Sequence, residues 1–431
     1  TKIMPPQILL KTYAALKTLR LGFIALRDRD DPESRAALMA RIDSLAPESM
    51  SQIIRAYNIY FSLVNIAEEA FNLAERRKAV GVGGHMWQGS FHDTLLALRD
   101  AGVTAAELGP LLYRLRYMPV ITAHPSEAKR RTVKGALRNI FVSLEALDDP
   151  RLTGMFRDEA LAQLANQIQI LWKTDEVRTY KLEVRDEIRA GLSFFSLSLF
   201  QAVTGVYRNF RNSLRDTYGE KAVREIGVPV FLRFGSWIGG DRDGHPFVTA
   251  EVTALAWRMQ ARTACMEYLR RIERLSDQLS YSTRLCHPSP EFMASLESDM
   301  ARQSAGVESS VRRFIQEPYR RKLDIMRHRL ARNMELIQRA IDGLEVSFET
   351  PGYASAQAFL DDLLLIRDSL KSHDDGDVAD RELADLILLV RTFGFHLLQL
   401  DVRQESGRHS EAVAEIFRQA LGSDYTGLDE E

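Results

Sequence analysis

The sequence is poor in cysteine, in net charge and in long apolar runs. Cys265 and Cys286 are the two cysteines in 431 residues, and they stand in no metal-type spacing. That excludes a disulfide framework and a cysteine-built zinc site. Both are expected to be buried thiols in a reducing compartment, so a cytoplasmic location is expected. Lys and Arg number 57 against 59 Asp and Glu, for a net charge of −2. Bulk charge therefore gives no reason to invoke nucleic acid or a membrane surface, and an anion site has to come from local clustering. No apolar stretch of membrane-spanning length stands out, and no signal peptide. Gly-Lys-Ser/Thr, dinucleotide, Ser-His-Asp and zinc motifs are missing, as is any repeat of fixed period. The chain opens on Thr1 instead of Met, which points to processing or trimming.

What is present is an ordinary soluble composition, 45% hydrophobic and 27% charged, long enough to bury a large core. Helical periodicity dominates. Ile54, Tyr57, Phe61, Val64 and Phe71 form one stripe within 51–78. Leu323, Met326, Leu330, Met334, Ile337 and Ile341 form another. Further helical patterns cover 161–172, 190–207, 252–279 and 358–370. Short β-type runs occur at about 118–123, 229–237 and 397–402. No low-complexity tether separates these segments. The expected architecture is mainly α, a single α-rich unit over 1–431 with a helical N-terminal region over 1–115 and a few short parallel strands.

Each β-type run ends abruptly in charged or chemically active residues, as strand ends do in barrel and open α/β enzymes. The first is Val120 to Glu127. The residue before a proline is pushed toward extended geometry, so His124 should close the strand, with Pro125 opening a helix. Lys129, Arg130 and Arg131 then fall in its first two turns. Neighbouring helical residues point about 100° apart, so Arg130 and Arg131 cannot both face what His124 faces, and a separate anion site is expected there. The second is Phe234 to Gly244. Gly239, Gly240 and Gly244 permit close backbone approach, and pairing of Asp241 or Asp243 with Arg242 is expected to stiffen the loop. Aligned on a calcium loop, Gly239 and Ala250 would fall at its first and last ligand positions, so metal ligation is disfavoured. Trp237 is either an apolar wall of the site or a core residue. The third is Leu397 to Glu405. There Asp401, Arg403 and Glu405 alternate on one face, either as an ion-pair network or with Arg403 as an oxyanion clamp.

Together these segments resemble the phosphoenolpyruvate carboxylase family of bacteria and plants. Thr122-Ala123-His124-Pro125-Ser126-Glu127 with Arg130-Arg131-Thr132 is similar to its His-containing signature. Gly235 to Pro246 is similar to its glycine-rich loop. Thr392-Phe393-Gly394 with Leu400 to Ser406 is similar to a third family segment, and Trp172 to Arg178 and Ser51 to Ala56 also resemble the family. Ser126 stands where Thr is usual and His245 where Asn is usual. The later Gly-Tyr-Ser-Asp-Ser and Gly-Arg-Gly-Gly motifs, which carry the metal-binding acids, are missing. The chain is therefore expected to be the N-terminal half of such an enzyme, inactive alone.

The resemblance implies an incomplete TIM-type (β/α) barrel with the first three or four of eight strands. It implies condensation of phosphoenolpyruvate with bicarbonate to oxaloacetate and phosphate, a carbon dioxide fixation that feeds the tricarboxylic acid cycle. The catalytic set would be His124 at the carboxyphosphate stage, Arg403 on phosphate, Arg242, and Trp237 in a dry pocket. Mg²⁺ or Mn²⁺ would be the cofactor, with no ligands in this chain. Arg130, Arg131 and Arg178 would form an allosteric anion site for a sugar phosphate. A homo-oligomer is implied for the full-length protein, with no nucleic-acid or membrane partner. The competing expectation is a non-catalytic helical domain of that family, acting in anion binding or assembly.

Overall fold

A computed structural model of the protein describes residues 46–81, 87–122, 130–147, 149–175, 183–302, 314–345 and 352–427, with scattered positions between 36 and 44. Contacts divide the chain into two compact units. One comprises residues 1–87 and 125–181, the other 88–124 and 182–431. This corrects the expected single unit, and the region 1–115 does not coincide with either. Periodicity reveals an apolar face but not which later helix covers it, and here the chain leaves the first unit and returns to it.

In the first unit, α1 (Pro47–Gly81) packs with α4 (Arg131–Leu147) and α5 (Gly154–Lys173). Their small core is Ile59, Ile66, Val133, Ala136, Ile140, Leu164 and Leu171. The stripe expected to be buried on α1 is mostly the wrong face. Ile54, Phe61, Val64 and Phe71 are exposed, whereas Ile53, Ile59 and Ile66 are buried. The helix carries two apolar stripes, and among the described residues only the second meets a partner.

The second unit contains α2 (Phe91–Asp100), α3 (Ala105–Arg114) and β1 (Val120–Ile121). Next come α6 (Val184–Phe194), a π-helical turn at Phe195–Leu199, α7 (Phe200–Ile226) and β2 (Gly235–Ser236). It continues with α8 (Ala250–Gln278), α9 (Pro290–Ala301), α10 (Pro318–Ile341) and α11 (Ala356–Ser372). The one-turn α12 (Gly376–Val378), α13 (Ala384–Phe393), β3 (Gln399–Leu400) and α14 (Ser406–Leu421) complete it. Start signals in the sequence work as capping predicts. Thr104 and Glu107 form a reciprocal capping box on α3, and Ser289, just before Pro290, accepts from the Phe292 N–H on α9. On α10 the expected Leu323, Met326 and Leu330 are buried.

The run Val184–Ile226 is long and apolar enough to cross a membrane by length and composition. That corrects the expectation of no such stretch. Its Ile188, Phe195, Val203, Phe210 and Leu214 lie in the core of this unit, which accounts for their apolar character. Cys265 and Cys286 are free thiols, the former buried, and burial pushes the Cys265 thiol up to about 12.

The three strands form one parallel sheet in the order β1-β2-β3. Val120 lies opposite Gly235 and Gly235 opposite Gln399, with Ile121, Ser236 and Leu400 in the next row. Isolated parallel bridges at Tyr117–Leu232 and Asp241–Arg403 extend it at both ends. Parallel neighbours need long crossovers, which the helices supply. Beneath the strand entrances Phe195, Phe234 and Phe393 stack edge to face or tilted, with centroids 5.4–5.9 Å apart. The architecture is thus α-rich with a small parallel sheet whose C-terminal ends all point one way.

Candidate active site

The loop after β2 turns tightly against the end of β3. The Gly240 and Asp241 amides donate to the Trp237 carbonyl at 2.9 and 2.8 Å. Gly239 holds φ 87°, and a Cβ on Gly240 would stand 2.3 Å from the Asp401 carbonyl oxygen. Only glycine permits that approach. The Arg242 amide donates to the Arg403 carbonyl at 2.8 Å, and the Arg403 amide to the Gly240 carbonyl at 3.1 Å. The loop is therefore zipped onto the third strand end, and β1 is tied in through the Trp237 amide and the Ile121 carbonyl at 2.9 Å.

Side chains complete the cluster. The Arg403 guanidinium lies over the Trp237 indole, 4.0 Å from its centroid. Its Nη1 donates to Asp241 Oδ2 at 3.1 Å. Trp237 Nε1 donates to Asp401 Oδ2 at 3.0 Å. Trp237 is half-buried, and the Arg403 side chain is 42% exposed. One face of the guanidinium is thus held by the ring and one nitrogen by Asp241, while no acceptor among the described residues takes its other donors. A planar fork held this way is pre-organised for an oxyanion.

Several expected roles are corrected. Asp241 pairs with Arg403, not with Arg242, because the zipped backbone turns the Arg242 side chain toward α8. There Arg242 Nη2 donates to Thr253 Oγ1 at 3.3 Å, and its buried Nε has no protein partner. Glu405 leaves the alternating face and caps α14, accepting from the Gly407 and Arg408 amides, which hold its carboxyl below the ordinary range. Thr253, which the sequence did not flag, also donates to the Gly239 carbonyl at 2.8 Å. Its place one turn after the cap residue Thr249 was the available signal. His245 is half-buried with an unpartnered Nδ1.

His124 and Arg178 lie outside the described residues, as does the Arg131 side chain. Arg130 is half-buried and non-helical. Its carbonyl accepts from the Val133 and Lys134 amides, so the described helix starts at Arg131 and the two arginines straddle its start. Among the described residues no group of three or more His, Cys, Asp or Glu is arranged to hold a metal ion. Asp241, Asp401 and Glu405 are engaged with Arg403, Trp237 and backbone amides, an arrangement that does not fit a divalent cation.

Comparison with known proteins shows which family the chain belongs to. The family described as phosphoenolpyruvate carboxylase matches residues 8–431. The chain belongs to the phosphoenolpyruvate carboxylase family. It is 35% identical over 410 residues to the phosphoenolpyruvate carboxylase of Chromobacterium violaceum, covering 94% of this chain and 43% of that protein. It is 35% identical over 409 residues to that of Roseiflexus castenholzii and 33% identical over 405 residues to that of Corynebacterium glutamicum, with 42% of each covered. The chain spans less than half the length of these relatives. Two segments that resemble phosphoenolpyruvate carboxylase motifs, Gly235 to Pro246 and Leu400 to Ser406, are the ones zipped together after β2 and β3.

Proposed function

We propose that this chain supplies the N-terminal part of a phosphoenolpyruvate carboxylase, joining phosphoenolpyruvate and bicarbonate to give oxaloacetate and phosphate. Family membership supports the reaction. The observation that carries the site is the guanidinium of Arg403, pinned between Trp237 and Asp241 at converging strand ends. The sheet is read as the start of a TIM-type barrel, whose C-terminal strand ends are where such enzymes react.

In this reading both substrates are anions, so positive charge has to be gathered where the phosphoryl group moves. Arg403 uses its free donors on the phosphate oxygens. Trp237 backs the guanidinium and excludes water, which would otherwise protonate the enolate to pyruvate. Arg242 and Thr253 hold the loop that carries Asp241. His124 follows Thr122 by two residues in the sequence and is assigned to the carboxyphosphate stage as the proton-handling group. The family works with Mg²⁺. The described residues do not fit that ion. Arg130, Arg131 and Arg178 are proposed as a separate regulatory anion site, and the cytoplasm as the place of action.

His124→Asn in a full-length polypeptide carrying this sequence tests the reading. Oxaloacetate formation, followed through malate dehydrogenase, should fall below detection while phosphoenolpyruvate still binds. Turnover near that of the parent would make the imidazole structural.

A further inference from the structure

At the opposite, N-terminal ends of β2 and β3 lies a cleft of about 200 Å³. Arg233, Arg391, Thr392, His396 and Gln399 contribute polar side chains to its lining, and Phe234, Val390 and Leu398 form an apolar wall. It shares no side chain with the Trp237–Arg403 cluster, so the inference stands apart from the proposed reaction.

The cleft has an unbalanced charge. Arg233 Nη1 donates to the carbonyls of Arg391 and Thr392 at 3.0 and 3.2 Å, the last turn of α13, which fixes the guanidinium in place. Its Nε and Nη2 have no partner among the described residues, and Arg391 is exposed with no acceptor for its side chain. No carboxylate lines the cleft. His396 stands exposed at the rim, and its ring nitrogens hold no hydrogen bond among the described residues. Partial burial of the ring, followed by the Arg233 charge, lowers its pKa, and a bound anion would oppose that shift.

The backbone is bent to build this corner. Gly394 has φ 51°, and a Cβ there would meet the His396 ring at 2.7 Å. Leu397 holds φ 64°, a left-handed conformation that a leucine adopts only when its surroundings enforce it. Thr392 donates its hydroxyl to the Leu388 carbonyl and does not compete for a ligand. Two forks and an imidazole around a space too small for a nucleotide suit one compact anion.

We propose that this cleft binds a small oxyanion, held between Arg233 and Arg391 with His396 at its mouth. The test titrates inorganic phosphate against the chain at constant ionic strength made up with chloride. Heat of binding and the His396 ring proton resonances are followed together. Saturable binding is expected, with the His396 pKa rising as the anion offsets Arg233. Affinity should fall at least tenfold in Arg391→Ala and stay unchanged in Arg224→Ala, an exposed arginine elsewhere in the unit. Arg391→Ala removes no side-chain bond among the described residues, so it decides the matter even if Arg233→Gln loosens the end of α13. Absence of saturation, or equal weakening in Arg391→Ala and Arg224→Ala, would overturn the proposal.

Discussion

Arg403→Gln in a full-length polypeptide carrying this sequence is expected to lower kcat/KM for oxaloacetate formation by about 10²–10³-fold, the effect of losing one pre-organised donor at a centre of developing charge. The glutamine is shorter and retains one donor pair, but neither the positive charge nor the planar fork. The loop should survive, because its closure rests on backbone bonds among Trp237, Gly240, Arg242 and Arg403, not on the Arg403 side chain. Asp241 would be left without its 3.1 Å partner, but it is near enough to solvent for rehydration to limit the structural effect. Arg403→Lys separates charge from geometry. It keeps the cation and loses the bidentate fork and much of the stacking on Trp237, so it should recover only part of the loss. Steady-state kinetics with the malate dehydrogenase coupling enzyme reads both variants. A loss of less than threefold in Arg403→Gln would reduce the residue to a loop ornament.

Lys322→Ala is expected to lower the stability of the second unit by about 3–5 kcal/mol, the range for breaking a buried ion pair from one side. Lys322 is fully buried. Its Nζ contacts Ser295 Oγ at 2.9 Å and Asp299 and Asp362 at 2.6 Å each. Arg329 reaches the same two carboxylates at 2.6 and 3.3 Å, and the Tyr353 hydroxyl donates to Asp362 at 2.7 Å. The network joins α9, α10 and α11, so removal of the ammonium leaves two largely buried carboxylates to one guanidinium. Lys322→Met fills the space without the charge and should still be destabilising.

The network also has an acid limit. Burial alone would raise the Asp299 pKa, but hydrogen bonds from Lys322 and Arg329 outweigh it and hold the carboxyl below its ordinary 3.8. A depressed carboxyl contributes its stability above the unfolded value and loses it as pH falls through the folded one. This contribution is therefore complete at neutral pH and fades below about pH 4. Urea midpoints at pH 7 and pH 3 check both points. A midpoint at pH 7 unchanged by Lys322→Ala would contradict the first.

The strand ends after β2 and β3 were legible in the sequence because apolar runs that stop at Gly-Gly-Asp or at Asp-x-Arg leave few other readings. Partner choice within the cluster was not. Asp241 is next to Arg242 in the chain but bonds Arg403, 162 residues away, and sequence spacing cannot see across a crossover. Glu405 looked like a third member of an alternating face, yet the chain turns helical at Ser406 and uses it as a cap. The α1 stripe failed for a related reason, since two apolar faces compete and only tertiary packing selects one. The Lys322 network left a faint trace. Lys322 lies on the buried face of α10 with Tyr319 and Met326, a position where a lysine persists only if it is paired.

The central claim is that these strand ends serve carboxylation of phosphoenolpyruvate, and a structure of the full-length polypeptide with phosphoenolpyruvate tests it most directly. The account predicts the substrate phosphate within hydrogen-bonding distance of the Arg403 guanidinium, with Trp237 still stacked behind it. Phosphoenolpyruvate bound elsewhere, with Arg403 still paired to Asp241 and touching no ligand, would contradict it.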